Sequence, residues 1–271
     1  MSKHKSRPQM AALADRHELY EASVQDTETE LEFVAETFED LTGRRLKLIR
    51  EDFCGTANTA CAWVRSGSDH QAVGVDLDGE VLAWGRNKHL APLSPDQKRR
   101  IKLIQDDVLS VDAGQFDAVL AMNFSYYLFA TRATLRGYFE RVREALVDGG
   151  VLFLDAFGGY DAHRELEERT EYDDFTYVWD QASFDPINHY MTCQIHFEFP
   201  DGSKLERAFE YHWRLWTLPE IRELLLEAGF GSATVYWEGT DEENGEGDGI
   251  YSPSETGDAD AGWICYLVAR R

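Results

Sequence analysis

The chain has 271 residues, of which 43% are hydrophobic and 13% aromatic, so it can fill a core and is not expected to be disordered. Fifty acidic residues against 27 basic ones give a formal net charge of −23, which argues against a nucleic-acid partner because such a surface repels phosphate backbones. No apolar run of about 18 residues and no apolar leader occur, and the four cysteines form no C-x-x-C pair, so we expect no membrane partner, free thiols and a cytoplasmic location.

Residues 1–156 predict a regular alternation of strands and helices. After an irregular lead-in at 1–25, a helix is expected from about Asp26 to Gly43, because apolar side chains recur there at helical spacing. The strands that follow are expected at 46–50, 72–76, 101–104, 116–122 and 151–155. The helices between them are expected at 57–65, 80–90 and 135–146. Such alternation is typical of a parallel sheet with helices on both faces.

The pattern changes after Asp155. A helix is expected near 161–169, and strand-like segments without intervening helices follow at 175–182, 190–199 and 204–216, which indicates an antiparallel insertion. The first pattern then resumes at 217. The expected elements are a helix with a possible capping box of Thr217 and Glu220, a strand at 233–237, an acidic glycine-rich loop at 239–261 and a last strand at 263–269.

These elements predict the α/β fold class. We expect a Rossmann-like, mostly parallel seven-stranded sheet with helices on both faces and an antiparallel β insertion after the fifth strand. A single domain is expected over 1–271. Its core is expected to comprise 26–156 and 217–271, with the lead-in at 1–25 and the insertion at 157–216 as additions to that core.

Three predicted strand ends carry acidic side chains. The segment from Glu51 to Ala57 joins a strand to a helix through small residues, so a ligand can approach the backbone, and the helix start offers free N–H groups to an anion. Asp76 ends the next strand, where a carboxylate can accept both hydroxyls of a ribose. Asp107 follows the third strand and can accept from an adenine amino group. Because the carboxyl ends of parallel strands share one edge of a sheet, we expect a ligand there.

These motifs, in this order, resemble those of the class I S-adenosyl-L-methionine (SAM)-dependent methyltransferases. The first motif of that family runs acid, apolar, Gly-x-Gly-x-Gly. Glu51 matches its acid and Gly55 its middle glycine, whereas Phe53 and Ala57 replace the first and third glycines. The resemblance covers about 26–156 and the elements after 217, and it implies SAM as cofactor and S-adenosyl-L-homocysteine as product. The cofactor-binding residues that it implies are Glu51, Phe53, Cys54, Gly55, Thr56, Ala57, Asp76, Leu77, Asp107, Val108, Asn123 and Tyr20.

Asn123 and Tyr126 are the candidates for contact with the reacting centre, because they follow the fourth strand in a stretch that faces the methyl group in this family. Tyr126 can equally pack under the next helix, and Tyr127 is expected to pack there. The lead-in resembles the N-terminal segments that close the site in small-molecule members, which implies a lid. Tyr20 is then a candidate for the carboxylate end of the cofactor, or a buried tyrosine of a surface helix.

The insertion is rich in aromatic side chains and resembles the substrate cover of small-molecule N- and O-methyltransferases. His196 lies opposite the apolar face of its strand, where it can act as a base or simply be solvated or hydrogen-bonded. The acidic segment 238–248 is expected to be a mobile loop. Because it lacks the ligand spacing of a calcium hand, no metal site is assigned.

The predicted reaction is methyl transfer to nitrogen or oxygen of a small-molecule acceptor by in-line displacement. Such a reaction depends on holding the acceptor on axis, and a base is required only when the nucleophile arrives protonated. Two alternatives stay open: a non-catalytic or regulatory SAM-binding protein, and a nicotinamide-dependent oxidoreductase. An oxidoreductase of this kind is expected to carry a G-x-G-x-x-G turn, which the residues from Phe53 to Asn58 do not form. The sequence leaves open the acceptor and the oligomeric state.

Overall fold

The computed structural model describes residues 8–241 and 247–271, and the chain divides into two compact units. The insert unit combines the described residues up to Asp26 with Tyr160–Leu215, and the core unit consists of Thr27–Gly159 and Trp216–Arg271. The single domain expected over 1–271 stays a prediction.

The sheet of the core unit is mostly parallel. Its strands are β1 (Leu48–Asp52), β2 (Gln71–Asp76), β3 (Ile101–Gln105), β4 (Phe116–Ala121), β5 (Leu146–Gly158), β10 (Ser232–Thr240), β11 (Gly247–Ser254) and β12 (Trp263–Arg270). They lie in the order β11-β10-β12-β5-β4-β1-β2-β3. The strands from β3 to β5 pair in parallel, whereas β12, β10 and β11 are antiparallel to their neighbours. The predicted α/β class is confirmed.

The sheet has eight strands among the described residues, where the sequence predicts seven. The additional strand is β11, which lies inside the segment 239–261 that was expected to be a loop. Its residues are almost all exposed, so they show no apolar alternation that a sequence pattern could reveal. Backbone pairing with β10 makes it a strand, with Tyr251 opposite Glu238. The loop prediction for this part is therefore wrong.

Helices connect the strands of the core unit. They are α3 (Thr27–Thr42), α4 (Asn58–Ser66), α5 (Gly79–Gly85), α6 (Pro95–Arg99), α7 (Arg132–Ala145) and α8 (Leu218–Glu227). A π-helical turn at Arg86–Leu90 continues α5. The predicted capping box at α8 is confirmed, because the Thr217 side chain accepts from the Glu220 N–H and the Glu220 carboxylate accepts from the Thr217 N–H. No helix in the described ranges is both long and apolar enough to cross a membrane.

The insert unit is built on a four-stranded antiparallel sheet. Its strands β6 (Leu166–Glu171), β7 (Thr176–Phe184), β8 (Tyr190–Glu198) and β9 (Lys204–Arg214) lie in sequence order. The apolar face expected opposite His196 is confirmed, since Cys193, Ile195 and Phe197 of β8 are buried, as is Phe199 just beyond its end. Two short helices are α1 (Met10–Leu13) and α2 (Arg16–Val24). Their side chains Ala11, Leu19 and Tyr20 pack against the apolar cluster of Ile195, Phe197, Phe199 and Ala208.

The helix expected near 161–169 is wrong. A single 3-10 turn at Asp161–His163 is followed by β6, which pairs with β7 along its whole length. The charged, glutamate-rich sequence has good helix propensity, but propensity is a weak preference that tertiary pairing overrides. Arg169 in β6 also pairs with Glu198 of β8, with 2.8 Å between Nη1 and Oε2, which holds the extended strand against the sheet.

Candidate cofactor site

The order of the strands reverses between β1 and β4 in the core unit. From β1 the chain proceeds through β2 and β3 towards one edge, whereas β4 and β5 lie on the other side. In open α/β sheets a ligand binds beyond the carboxyl ends of the strands at such a switch point. The segments that leave β1, β2 and β4 therefore form the candidate site, and the predicted cofactor residues other than Tyr20 lie on these segments and the one that follows β3.

The turn after β1 keeps a glycine-like backbone although glycine is absent at two positions. Phe53, Gly55 and Ala57 have φ values of 57°, 50° and 59°, in the left-handed region. This conformation costs about 1–2 kcal/mol for a residue with a Cβ. The surroundings hold it in place: the Ala57 N–H donates to the Cys54 carbonyl at 2.7 Å, and the Cys54 N–H donates to the Val75 carbonyl at 3.0 Å. The two departures from the family motif therefore leave the turn conformation intact.

The Phe53 side chain has a contact that glycine could not make. Its ring lies 5.9 Å from that of Phe129 and 5.8 Å from that of Tyr138, measured between centroids. The Tyr138 hydroxyl donates to Asp52 Oδ2 at 2.8 Å, so one residue of α7 touches both Phe53 and the residue before it. Aromatic packing therefore anchors the strained turn from the side of α7.

A buried charged group, the Arg50–Asp52–Tyr138 cluster, lies directly behind this turn. Arg50 Nη2 and Asp52 Oδ2 are 2.8 Å apart, and Arg50 and Asp52 are both about 1% exposed. Burial raises the pKa of Asp52, and the Arg50 guanidinium and the Tyr138 hydroxyl oppose that rise. Sequence reasoning missed this cluster, although opposite charges two residues apart in a buried strand were a signal, since such residues share one face.

Glu51 joins β1 to the start of α4. Its Oε2 accepts from the Ala60 N–H at 2.8 Å, in the first turn of a helix whose own N-cap residue, Ala57, has no capping side chain. Burial raises the pKa of Glu51 to about 8, so at neutral pH its carboxyl group holds a proton. Glu51 therefore fixes both ends of the turn between β1 and α4. A contact with the cofactor remains a prediction.

Asp76 brings the ends of β1 and β2 together. Its Oδ2 accepts from the Gly55 N–H at 2.7 Å and its Oδ1 from the Asp78 N–H at 2.9 Å. Burial raises the pKa of Asp76, and the two N–H donors oppose that rise. Each carboxylate oxygen can accept a further hydrogen bond. Leu77, the next residue, is 69% exposed, which is unusual for a leucine.

The space beside Gly55 is open. A Cβ added there would meet no heavy atom within 4 Å. An open backbone, a carboxylate with spare acceptor capacity and an exposed apolar side chain thus lie where β1 and β2 end, and the hydrogen bond from the Gly55 N–H to Asp76 joins the two segments. This set of groups fits a ligand with a ribose and a flat apolar ring, as SAM has.

Several of the predicted cofactor residues are buried in the core unit instead. Cys54, Thr56, Ala57 and Val108 are all less than 9% exposed, and the Cys54 sulfur packs against Gly74 of β2. The side chains at these positions are therefore closed to a ligand. Asp107 is exposed, and its Oδ1 accepts from the Leu109 N–H at 2.9 Å.

The turn after β4 contains the candidates for the reacting centre. Asn123 and Phe124 are only partly buried and have φ values of 57° and 55°. Tyr126 is fully buried, and its hydroxyl donates to the Asp155 carbonyl at 2.7 Å. The structure thus supports the packing alternative for Tyr126, because a side chain without exposed surface offers no contact to a ligand. Tyr127 is also fully buried, as the sequence predicts.

His196 and Tyr20 lie in the insert unit. The Nδ1 atom of His196 accepts from the Arg207 N–H at 2.9 Å, where Arg207 has a left-handed φ of 50°, and its Nε2 is 3.4 Å from Asp180 Oδ2. Both ring nitrogens therefore have protein partners, which favours the hydrogen-bonded alternative over a base. Tyr20 packs on Phe209, with ring centroids 4.9 Å apart.

No group of three or more His, Cys, Asp or Glu side chains in the described ranges is arranged to hold a metal ion. The acidic segment 238–248 belongs to the ends of β10 and β11 where it is described, and 242–246 lie outside the described residues. Its expected mobility therefore stays a prediction.

Comparisons with known proteins place this geometry in a class. Residues 54–152 match the family of methyltransferase domains. The fold is similar to that of a SAM-dependent methyltransferase from Clostridium acetobutylicum, with 17% identity, a TM-score of 0.67, and coverage of 94% of this chain and 96% of that one. No curated protein matches the chain by sequence.

Two further solved structures are similar over almost the whole chain. A SAM-bound amino pentose methyltransferase from Micromonospora echinaspora is 16% identical, with a TM-score of 0.65 and coverage of 99% of both chains. A sugar N-methyltransferase from a Streptoalloteichus species is 19% identical, with a TM-score of 0.64 and coverage of 100% of this chain and 98% of that one. Residues 54–152 thus match a methyltransferase domain, and the fold of the chain is similar to that of SAM-dependent methyltransferases.

The packing role of Tyr126 leads to a specific expectation. Tyr126→Phe should lower the free energy of unfolding by about 1–2 kcal/mol, because it leaves a buried carbonyl without its donor. Calorimetric titration should show unchanged SAM affinity. Tyr172→Phe is the control, since its hydroxyl is exposed and makes a longer contact of 3.3 Å with the Ser23 carbonyl. A Tyr126→Phe protein of unchanged stability and impaired methyl transfer would instead return Tyr126 to the reacting centre.

Proposed function

We propose that the protein transfers the methyl group of SAM to a nitrogen or oxygen atom of a small-molecule acceptor, with nitrogen favoured. When bound, SAM supplies a methyl group on a sulfonium, which an acceptor lone pair takes as the carbon–sulfur bond breaks, leaving S-adenosyl-L-homocysteine. The observation that carries the proposal is the arrangement at the switch point, where Asp76 holds the open Gly55 turn and Leu77 stands exposed beside it.

Each group at the switch point then has a definite task. Asp76 would accept hydrogen bonds from the ribose hydroxyls with its remaining lone pairs, and Leu77 would offer the adenine an apolar contact. Asp107 would accept from the adenine amino group. The backbone of the left-handed turn and the start of α4 approach the amino-acid end of the cofactor, and Glu51 keeps these two segments together.

The acceptor side supports a small molecule. The net charge of −23 disfavours phosphate-rich acceptors and suits an acceptor that is neutral or cationic. Similar folds include an amino pentose methyltransferase, a sugar N-methyltransferase and a glycopeptide N-methyltransferase, which favours nitrogen within this proposal. Asn123 is our candidate for contact with the reacting centre, because it is the partly exposed residue at the end of β4.

No side chain is assigned as a catalytic base. His196 has partners on both ring nitrogens, and Tyr126 has no exposed surface. Burial also raises the pKa of Tyr126 well above its ordinary value, so its phenolate is not formed near neutral pH. An amine that arrives uncharged needs no base before it attacks, so the residues would act by positioning the two reactants.

Replacement of Asp76 tests the cofactor assignment. Asp76→Asn should weaken SAM binding by about 1.5–3 kcal/mol, the range for a hydrogen bond to a charged group. Asp78→Asn is the matched control: it removes the same charge two residues away, and asparagine can still cap α5 as Asp78 does. Calorimetry on both variants decides the matter, and equal affinities would remove Asp76 from the site.

The proposed function itself is tested with the wild-type protein. Calorimetric titration should show binding of SAM and S-adenosyl-L-homocysteine and none of NADH, whereas NADH binding would favour an oxidoreductase. Incubation with SAM and a panel of amino sugars and other small amines, followed by mass spectrometry, should then show products heavier by one methylene. Binding without any product across amine and hydroxyl acceptors would favour a regulatory SAM-binding protein.

A further inference from the structure

Asp155, at the carboxyl end of β5, attaches to the turn after β4 at three points. Its Oδ2 accepts from the Asn123 N–H at 2.7 Å and its Oδ1 from the Phe124 N–H at 2.8 Å. Its backbone carbonyl accepts from the Tyr126 hydroxyl at 2.7 Å. Both oxygens of one carboxylate therefore hold two successive backbone groups, beside the switch point between β1 and β4.

The two residues held in this way have a backbone conformation that needs support. Asn123 and Phe124 are consecutive and left-handed. Asparagine tolerates this region, but for phenylalanine it is strained and requires surrounding structure to hold it. Two charge-assisted hydrogen bonds from one rigid strand supply that support.

The carboxylate itself is buried without a cation. Asp155 is 8% exposed, and no salt bridge between described residues includes it. The titratable groups that face it are Tyr126 and Tyr127 after β4, Tyr251 on β11 and Cys265 on β12, all neutral near pH 7. Burial raises the pKa of Asp155 to about 7, and the N–H groups of Phe124 and Asn123 oppose the rise.

We propose that Asp155 is a positioning residue that holds the Asn123–Phe124 turn in its site-forming conformation, and that it does so only while its carboxylate is ionised. The role in turnover rests on the proposed function, but the role in the turn does not. Protonation places a hydrogen on one oxygen, which then cannot serve its N–H as a strong acceptor. At least one of the two residues is released, and the turn then relaxes.

The opposite effects of pH on stability and on the turn distinguish this role. Because the folded state holds the Asp155 proton up to about pH 7 and the unfolded state releases it near 3.8, the contribution of Asp155 to stability falls as the pH rises between these values. The hydrogen bonds to Asn123 and Phe124 strengthen over the upper part of the same range.

Amide hydrogen exchange tests the proposal without any ligand. In the wild-type protein the protection of the Asn123 and Phe124 amides should fall about tenfold from pH 8 to pH 6, as expected for an ionisable group with a pKa near 7. The Leu48 amide is the internal control, because it donates to Asp117, a strand aspartate outside the site. Equal pH dependence of protection at Phe124 and Leu48 would overturn the proposal, even if no variant folds.

Two variants extend the test to turnover. Asp155→Asn should reduce protection at Asn123 and Phe124 by tenfold or more, lower kcat more than it changes the KM for SAM, and remove the rise in rate centred near pH 7. Asp117→Asn, the matched control, should leave these three quantities as in the wild type. If the wild type shows no turnover, the proposed function fails and the exchange result still decides the role of Asp155. If turnover is present and Asp155→Asn behaves like Asp117→Asn, the inference alone fails.

Discussion

Arg50→Ala should lower the free energy of unfolding by about 3–5 kcal/mol, the effect expected when one partner of a buried ion pair is removed. The Asp52 carboxylate would remain in the core with the Tyr138 hydroxyl as its one remaining partner among the residues that the structure describes. The Asp52 Oδ1 atom is already buried without a hydrogen bond in those residues, so they offer no further donor that could compensate for the loss of Arg50. Urea unfolding followed by circular dichroism gives the value.

Two controls separate the buried pair from charge in general. Arg136→Ala breaks an ion pair whose side chains are about half exposed and should change the unfolding free energy by less than about 1 kcal/mol. The double variant Arg50→Met/Asp52→Leu should recover most of the loss, since apolar side chains of similar volume often replace a buried pair without penalty. An Arg50→Ala protein within 1 kcal/mol of the wild type would show that the carboxylate is not charged in the folded state.

The effect should depend on pH. Without Arg50, the Asp52 carboxylate can escape its desolvation by taking up a proton, so the destabilisation of Arg50→Ala should shrink as the pH falls. Tyr138 of the same cluster also packs on Phe53 in the turn after β1. A loss of SAM affinity is therefore expected to accompany the loss of stability in Arg50→Ala but not in Arg136→Ala.

Local patterns in the sequence predicted those parts of the molecule that local interactions decide. The capping box of Thr217 and Glu220 spans four residues and forms as expected. Asp76 could be singled out because it ends the strand that follows the small-residue turn at Gly55, which is where a ribose-binding acid is expected. The strands from β1 to β5 overlap the five segments predicted for them, and the hydrophobic runs of β4 and β5 are strong signals.

The features that the sequence did not predict depend on contacts between residues that are distant in sequence. The segment 161–169 carries a helix-forming composition, yet pairing with β7 makes it a strand from Leu166 onwards. β11 exists through its pairing with β10, because its own residues show no burial pattern. The Arg50–Asp52–Tyr138 cluster joins residues 86 positions apart, and the role of Asp155 depends on amides about 30 positions away. No window along the chain contains both members of these pairs.

The strained backbone of the turn after β1 is likewise held by residues that are distant in sequence. From the sequence, Phe53 and Ala57 stand where the family has glycine. The fold keeps the left-handed backbone at both positions and adds aromatic contacts at Phe53 that a glycine lacks. The motif is therefore better defined by its backbone conformation than by its glycines. Glycine adopts the left-handed conformation without support, whereas other residues need support, and the core unit supplies it here.

Gly85→Ala should disrupt the same turn from the opposite side. Gly85 lies in α5, and an added Cβ would overlap the backbone carbonyl of Thr56, which belongs to the turn after β1. A backbone group cannot rotate away as a side chain can, so α5 or the turn has to move. Overpacking of this kind typically costs about 1–3 kcal/mol and sometimes more. We expect a loss of about 3 kcal/mol in unfolding free energy and a SAM affinity at least tenfold lower.

Two other glycines make this prediction sharp. Gly79→Ala, in the same helix, meets the flexible end of the Gln105 side chain and should cost less than about 1 kcal/mol. Gly137→Ala, in α7, meets nothing within 4 Å and should stabilise the protein by up to about 1 kcal/mol, because alanine is the better helix former. If Gly85→Ala behaved like either of these, α5 and the turn would be free to separate. The close approach of Gly85 to Thr56 could then not be what fixes the turn for the cofactor. If Gly85→Ala instead kept its stability but lost SAM affinity, the turn after β1 would have moved to accommodate the added Cβ, and α5 would have stayed in place.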